Sequence, residues 1–136
     1  MVAPRIGRWE VDQAGQVTLL GNRCRSCGET TFPERAACPR CRSRDLDPTR
    51  IDGPASLLSW TVVHQAPPGF RTPLAVGYAV FPGDVVVLAQ IDAPRERLAK
   101  GLALRVIEGE SQQGSDGTAL VSYRFAPADD RQAVDA

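Results

Sequence analysis

The chain has 136 residues with 16 basic and 16 acidic side chains and no formal net charge, a length that suits one domain or one domain plus a small module. No apolar run approaches the roughly eighteen residues of a transmembrane helix, which excludes that class. The charge balance also lacks the positive excess expected of a nucleic-acid binder. The chain starts without a signal-peptide pattern, so the expected compartment is the cytoplasm. Fifteen of the sixteen basic residues are arginine and only Lys100 is lysine, a bias read first as composition rather than chemistry.

Residues 1–16 carry little periodicity. Met1 to Arg8 is expected to form an extended N-terminal arm, with Trp9 packing within the molecule and Asp12 to Gly15 making a turn. Residues 17–50 are the expected metal-binding ribbon. Val17, Leu19 and Leu20 lead through Gly21-Asn22, a turn dipeptide, into the first of two Cys-x-x-Cys pairs. Cys24 and Cys27 form that pair, Cys38 and Cys41 the second, with ten residues between them. Each short pair makes a tight turn that aims two sulfurs at a common point, so four thiolates can surround one tetrahedral ion.

Zn²⁺ accepts such a set without redox chemistry or geometric preference; an iron site with four thiolates fits the same spacing. Disulfides would need an oxidising compartment, and a redox pair would sit beside a βαβ unit that is not visible here. With four protein ligands no position remains for water or substrate, so the metal is structural. Gly28 follows the first pair, where positive φ is common. Arg42 occupies the equivalent place in the second. Thr30 to Pro33 is expected to form a short strand with Phe32 beneath the metal, and Arg42 to Pro48 a polar connector.

From Ile51 the pattern changes to period two, and residues 51–126 are expected to form a five-stranded barrel. Ala55–His64 is the first strand, with Leu58, Trp60 and Val62 on one face. The loop Pro67-Pro68-Gly69-Phe70 breaks it. Leu74–Phe81 is the second strand, Pro82-Gly83-Asp84 a turn, and Val85–Asp92 a third strand apolar enough on both faces to be central. Arg95–Lys100 suits one helical turn. Leu102–Ile107 is the fourth strand, with Leu102, Leu104 and Val106 on one face. Gly109 to Gly117 reads as a mobile loop, and Ala119–Phe125 as a fifth strand with Val121, Tyr123 and Phe125 inward. Residues 127–136 read as a disordered tail. The fold class is therefore mainly β, a rubredoxin-like zinc ribbon followed by an OB-fold barrel, with an SH3-like barrel as the alternative.

No catalytic constellation is visible. His64 is the only histidine and has no acid partner in its neighbourhood of sequence, and no nucleophile elbow or phosphate-cradling loop occurs. The ribbon is locally basic: Arg23, Arg25, Arg35, Arg40, Arg42, Arg44 and Arg50 exceed the nearby Glu29, Glu34, Asp45 and Asp47 by three charges. A zinc ribbon beside an OB-fold admits a nucleic-acid-binding module as the alternative function. Against it, a tetrathiolate zinc carries formal charge of about −2, which some of these arginines balance. Stacking platforms also need exposed aromatics, for which Tyr78 and Phe81 are the nearest candidates.

The run Leu20 to Gly28, then Thr31-Phe32-Pro33-Glu34-Arg35, then Cys38-Pro39-Arg40-Cys41, resembles the acyl-CoA-associated zinc-ribbon/OB-fold family, also known as domain-of-unknown-function family 35. The segments Leu57 to His64, Ala66 to Phe70 and Gly101 to Val106 are similar to that family's first barrel strand, following loop and fourth strand, so the resemblance spans roughly Leu19 to Pro127. It implies a non-catalytic accessory subunit of a thiolase-like enzyme acting on an acyl-CoA, with a retro-aldol cleavage of a steroid side-chain CoA thioester as the leading example. The implied partner is a thiolase-like, lipid-transfer-type subunit in a heterotetramer, with acyl-CoA at the shared interface and neither nucleic acid nor membrane involved. The family's N-terminal helices are usually longer than the arm here. Pro68, Gly69, Phe70 and Arg71 are candidates for partner or CoA contact, because prolines reduce the entropy lost when a loop orders and guanidinium groups bind phosphate.

Overall fold

A computed structural model describes residues 8–113, 117 and 119–129. Its first half is a small antiparallel sheet built around one long strand. β1 (Arg8–Val11) and β2 (Val17–Cys24) form a hairpin in which Trp9 lies opposite Leu19. The turn between them is closed by Asp12, whose Oδ1 accepts the N–H groups of Ala14 and Gln16, both at 2.9 Å. β2 also pairs with β3 (Thr30–Thr31) and with β4 (Leu46–Ile51). Trp9 thus belongs to a strand of the ribbon sheet.

Two segments depart from their expected form. Gly21-Asn22 is not a turn: β2 runs straight through it, paired with Thr49 and Pro48 of β4. Glycine is there for space. A Cβ at Gly21 would fall 2.2 Å from the Thr31 carbonyl oxygen, so only a bare backbone lets β3 approach. The polar connector after the second cysteine pair is likewise strand β4 from Leu46 onward, and its Pro48 is tolerated because nothing pairs with its outer edge among the described residues. Buried Asn22 ties this sheet to the loop beyond β3, accepting hydrogen bonds from the Thr31 hydroxyl (3.2 Å) and the Arg35 N–H (2.8 Å).

The second half is a closed barrel in the order β5-β6-β7-β9-β8. Its strands are β5 (Ala55–Val63), β6 (Leu74–Phe81), β7 (Val85–Ile91), β8 (Ala103–Gln113) and β9 (Ala119–Pro127). A single 3-10 turn over Arg95–Arg97 separates β7 from β8, at the place expected for a helical turn. Closure is made by a short parallel contact of Ile91 with Phe125, reinforced by the Asp92 N–H donating to the Phe125 carbonyl at 2.7 Å. No helix is long and apolar enough to cross a membrane among the described residues.

The interior is one continuous core. Leu19 and Ile51 of the ribbon sheet pack with Leu57, Phe81, Ile91 and Phe125 of the barrel. Several side chains lie elsewhere than their periodicity suggests. A bulge between Leu57 and Ser59 shifts the β5 register, so Leu57 enters the core while Leu58 and Trp60 stay exposed. β7 has one buried face: Val85, Val87 and Ile91 point inward, whereas Val86 and Leu88 are exposed. Tyr123 and Phe125 are inward as expected, but Val121 is exposed. Gly109 to Gln113 continues β8 in a ladder with β9 rather than forming a loop. Residues 1–7 of the expected arm, 114–116 of that expected loop, 118, and 130–136 of the expected tail lie outside the described residues.

The two halves meet through three aromatic rings. Trp9 stands edge-on to Tyr123 at 5.9 Å, and Phe32 does the same from the ribbon side at 5.3 Å. The Trp9 indole N–H donates to Glu108 of β8 at 2.5 Å. The Tyr123 hydroxyl donates to the Leu88 carbonyl at 3.3 Å, and burial pushes its pKa up. Phe32 therefore packs on the barrel core, its neighbour ring being on β9.

A four-cysteine metal centre

The centre is assembled from two equivalent knuckles. In the first, the Gly28 N–H donates to the Cys24 carbonyl at 2.9 Å and the Cys24 N–H to the Glu29 carbonyl at 2.8 Å. In the second, the Arg42 N–H donates to the Cys38 carbonyl and the Cys38 N–H to the Ser43 carbonyl, both at 2.8 Å. The turn needs a left-handed residue after its second cysteine. Gly28 supplies it at φ 82° and Arg42 at φ 68°, so the second knuckle repeats the first without the glycine. An arginine held there is strained by about 1 kcal/mol. Arg42→Gly should keep the metal and raise stability by about 0.5 kcal/mol, the rest being offset by glycine's freer unfolded chain. The urea midpoint of the metal-saturated variant measures it.

The four Sγ atoms lie within 4.8 Å of one another. Cys24 and Cys41 are separated by 3.5 Å and Cys27 and Cys38 by 3.6 Å. A tetrahedral ion with metal–sulfur bonds of about 2.3 Å sets sulfurs about 3.8 Å apart, so the arrangement fits one. Cys24 and Cys38 are buried and Cys27 and Cys41 are exposed, which leaves the centre at the surface with one side walled by protein. The Cys27 amide directed at the Cys24 sulfur draws that thiol down to about 6, and the Cys41 amide lowers Cys38 in the same way. At Cys27 the Glu29 amide pulls the thiol down, but burial and the adjacent sulfurs outweigh it and push it up to about 12. Cys41 is raised likewise, against the Ser43 amide. A dication that displaces the thiol protons would bind all four as thiolates.

The arginine excess around the centre is partly neutralised by ion pairs. Arg25 meets Asp47 at 2.7 Å, Arg50 meets Glu10 of β1, and Arg40 lies 4.0 Å from Glu29. Two of these acids were within reach of a local count, but Glu10 comes from the hairpin and is found only through strand pairing. The loop before β6 is remote from this centre in sequence and has its own setting. Gly69 and Arg71 line a cleft of about 520 Å³ together with Gln90, Asp92 and Arg124. Pro68 is exposed and Phe70 half-buried, and neither lines that cleft. His64 is exposed at the end of β5.

Residues 12–47 match the family model "ChsH2, rubredoxin-like zinc ribbon domain", and residues 49–107 match "ChsH2, C-terminal OB-fold domain". The chain is 30% identical over 113 residues to a DUF35 domain-containing scaffold protein of Pyrococcus furiosus, covering 80% of this chain and 82% of that one. It is 26% identical over 107 residues to the benzoylsuccinyl-CoA thiolase subunit BbsA of Thauera aromatica, covering 79% and 74% respectively. Its fold is similar to that of a solved chain titled "Ltp2-ChsH2(DUF35) aldolase", with a TM-score of 0.65, 23% identity and coverage of 82% and 85%. With both domain models matched in order along one ribbon and one closed barrel, this chain belongs to the ChsH2 (DUF35) family of zinc-ribbon/OB-fold proteins.

Proposed function

We propose that this chain is a non-catalytic accessory subunit of a thiolase-like acyl-CoA enzyme, working in the cytoplasm. The observation that carries the reading is its alignment, over about four-fifths of its length, with one relative described as a scaffold protein and another described as a thiolase subunit. The centre supports it chemically: all four thiols face one another in a closed set, so the metal fixes shape and offers no site for substrate. That ion is Zn²⁺ in this reading. The partner supplies the nucleophile and the acid–base groups, and the two chains form a heterotetramer around the symmetric thiolase-like dimer. The reaction is carbon–carbon bond cleavage of a CoA thioester, a retro-aldol step on a steroid side chain being the specific form proposed. Pro68, Gly69, Phe70 and Arg71 face the partner or its CoA, Gly69 and Arg71 through the cleft they line.

The test is to purify this chain and the thiolase-like subunit of the same organism separately and together. The expected result is turnover of an acyl-CoA only by the mixture, with a stable complex on gel filtration. Turnover by this chain alone, or full activity and solubility of the thiolase-like subunit without it, would sink the reading.

A further inference from the structure

The outer face of β5, β6 and β7 is unlike the rest of the molecule. These three adjacent strands, of 9, 8 and 7 residues, contain no Asp, Glu, Lys, Arg or His, although 24% of the chain is charged. Strand register makes the face continuous. Ser59, Tyr78 and Leu88 lie side by side across the three strands, and the next row is Ser56, Val80 and Val86. In an antiparallel sheet, directly opposed residues share a face. The opposite faces of β6 and β7 carry Ala79, Phe81, Val85 and Val87, all buried, so these two rows point outward. Tyr78 is 45% exposed, Val86 44% and Leu88 49%, and Leu58 at the bulge beside Ser59 is 43% exposed. The charged residues of the barrel strands lie on β8 and β9 instead, at Arg105, Glu108, Glu110 and Arg124.

We infer that this face, centred on Tyr78 and Leu88, docks an apolar, uncharged surface of a partner protein subunit. The inference rests on the accessory-subunit reading and assigns it a surface. Charge selects a protein occupant over a nucleic acid. An OB-fold commonly turns its second and third strands, here β6 and β7, toward oligonucleotides. Such binding needs cations for phosphates, and the three strands of this face carry none. A contiguous exposed apolar face of this kind marks a protein contact. In the accessory-subunit reading its occupant is a different subunit and not a second copy, with the apolar face as the dry centre of the interface.

The experiment co-expresses the full chain with the thiolase-like subunit and measures complex formation by gel filtration and biolayer interferometry. Tyr78→Glu and Leu88→Lys place charges in the centre of the face, and Lys100→Glu is a control outside it. The expected result is binding weakened at least about 100-fold by each central charge, with the metal content and urea midpoint of both variants unchanged and the control like wild type. Hydroxyl-radical footprinting of the wild-type complex supplies a readout that needs no variant: Tyr78 and Leu88 should be protected on binding. Unprotected residues, or variants that bind within threefold of wild type, would overturn the docking surface and leave the accessory reading standing. A wild-type chain that makes no complex overturns the accessory reading itself. Self-association, or oligonucleotide binding, that Tyr78→Glu abolishes would overturn the choice of occupant.

Discussion

Cys38→Ser should release the metal and unfold the ribbon, leaving less than a tenth of an equivalent of ion on elemental analysis. In comparable small sites the ion contributes roughly 10–16 kcal/mol, as much as the whole stability of a typical domain. The size of the effect follows from how little else holds the knuckles. Between β3 and β4 the described chain has no regular strand, and its order comes from the knuckle hydrogen bonds, the Asn22 contacts and the thiolates. Serine keeps the volume but replaces a thiolate with a hydroxyl that does not ionise at neutral pH, so one bond and the site's closure are lost. The loss should not stop at the ribbon. Leu19 and Ile51 belong to the shared core, and Trp9 and Phe32 rest on Tyr123, so the barrel loses one wall. A single cooperative transition at lower temperature is the expected melting behaviour, where two independent domains would give two. Acid should reproduce the release in the native protein, because protons compete with the ion for thiolates and metal affinity falls as pH falls. A chelator-treated sample that keeps its melting temperature would show that the ion is dispensable, and iron in place of zinc would change its identity but not its structural role.

The metal centre was legible because ligand chemistry is local. Two Cys-x-x-Cys pairs at a fixed separation name the ligands without any knowledge of the fold, and the structure brings those four sulfurs together. Strand positions in the barrel were legible for the same reason, since alternation and turn residues are read within one segment; Leu74–Phe81 matches to the residue. What stayed hidden depends on distant partners. Gly21 carries a turn signature in sequence, but its role is set by Thr31, which crosses it ten residues later. Arg42 stands where a glycine is expected, yet the second knuckle holds it at positive φ because the hydrogen bonds of the turn over-determine it. Leu58 and Trp60 share a periodicity with Val62, and the bulge at Leu57–Ser59 breaks it in a way that only the partner strand β6 reveals. Phe32 lies between the two cysteine pairs in sequence, whereas its packing neighbour Tyr123 lies at the other end of the chain.

Phe125→Ala should be the most damaging substitution in the barrel, costing about 3–5 kcal/mol and lowering the urea midpoint accordingly. Phe125 has no exposed surface at all. Its ring packs at 6.2 Å from Phe81 of β6, on the far side of the interior, so truncation leaves a cavity spanned by both walls. Position adds to packing. Phe125 lies opposite Val106 on β8 and opposite Ile91 on β7, and the latter contact is the one described register pair that joins β7 to β9. Its carbonyl accepts the Asp92 N–H at 2.7 Å, a bond that alanine can also make. The variant therefore separates two contributions. If the packed ring holds the barrel shut, Phe125→Leu should recover a large part of the loss, because a branched apolar side chain refills most of the cavity. If closure rests on the backbone bond, alanine and leucine should both stay close to wild type. Urea denaturation followed by tryptophan fluorescence distinguishes these outcomes, since Trp9 sits on the ribbon side and Trp60 on β5. A loss below about 1 kcal/mol for Phe125→Ala, well under the usual range for a buried phenylalanine, would mean that the barrel is held by its ladder and not by this ring.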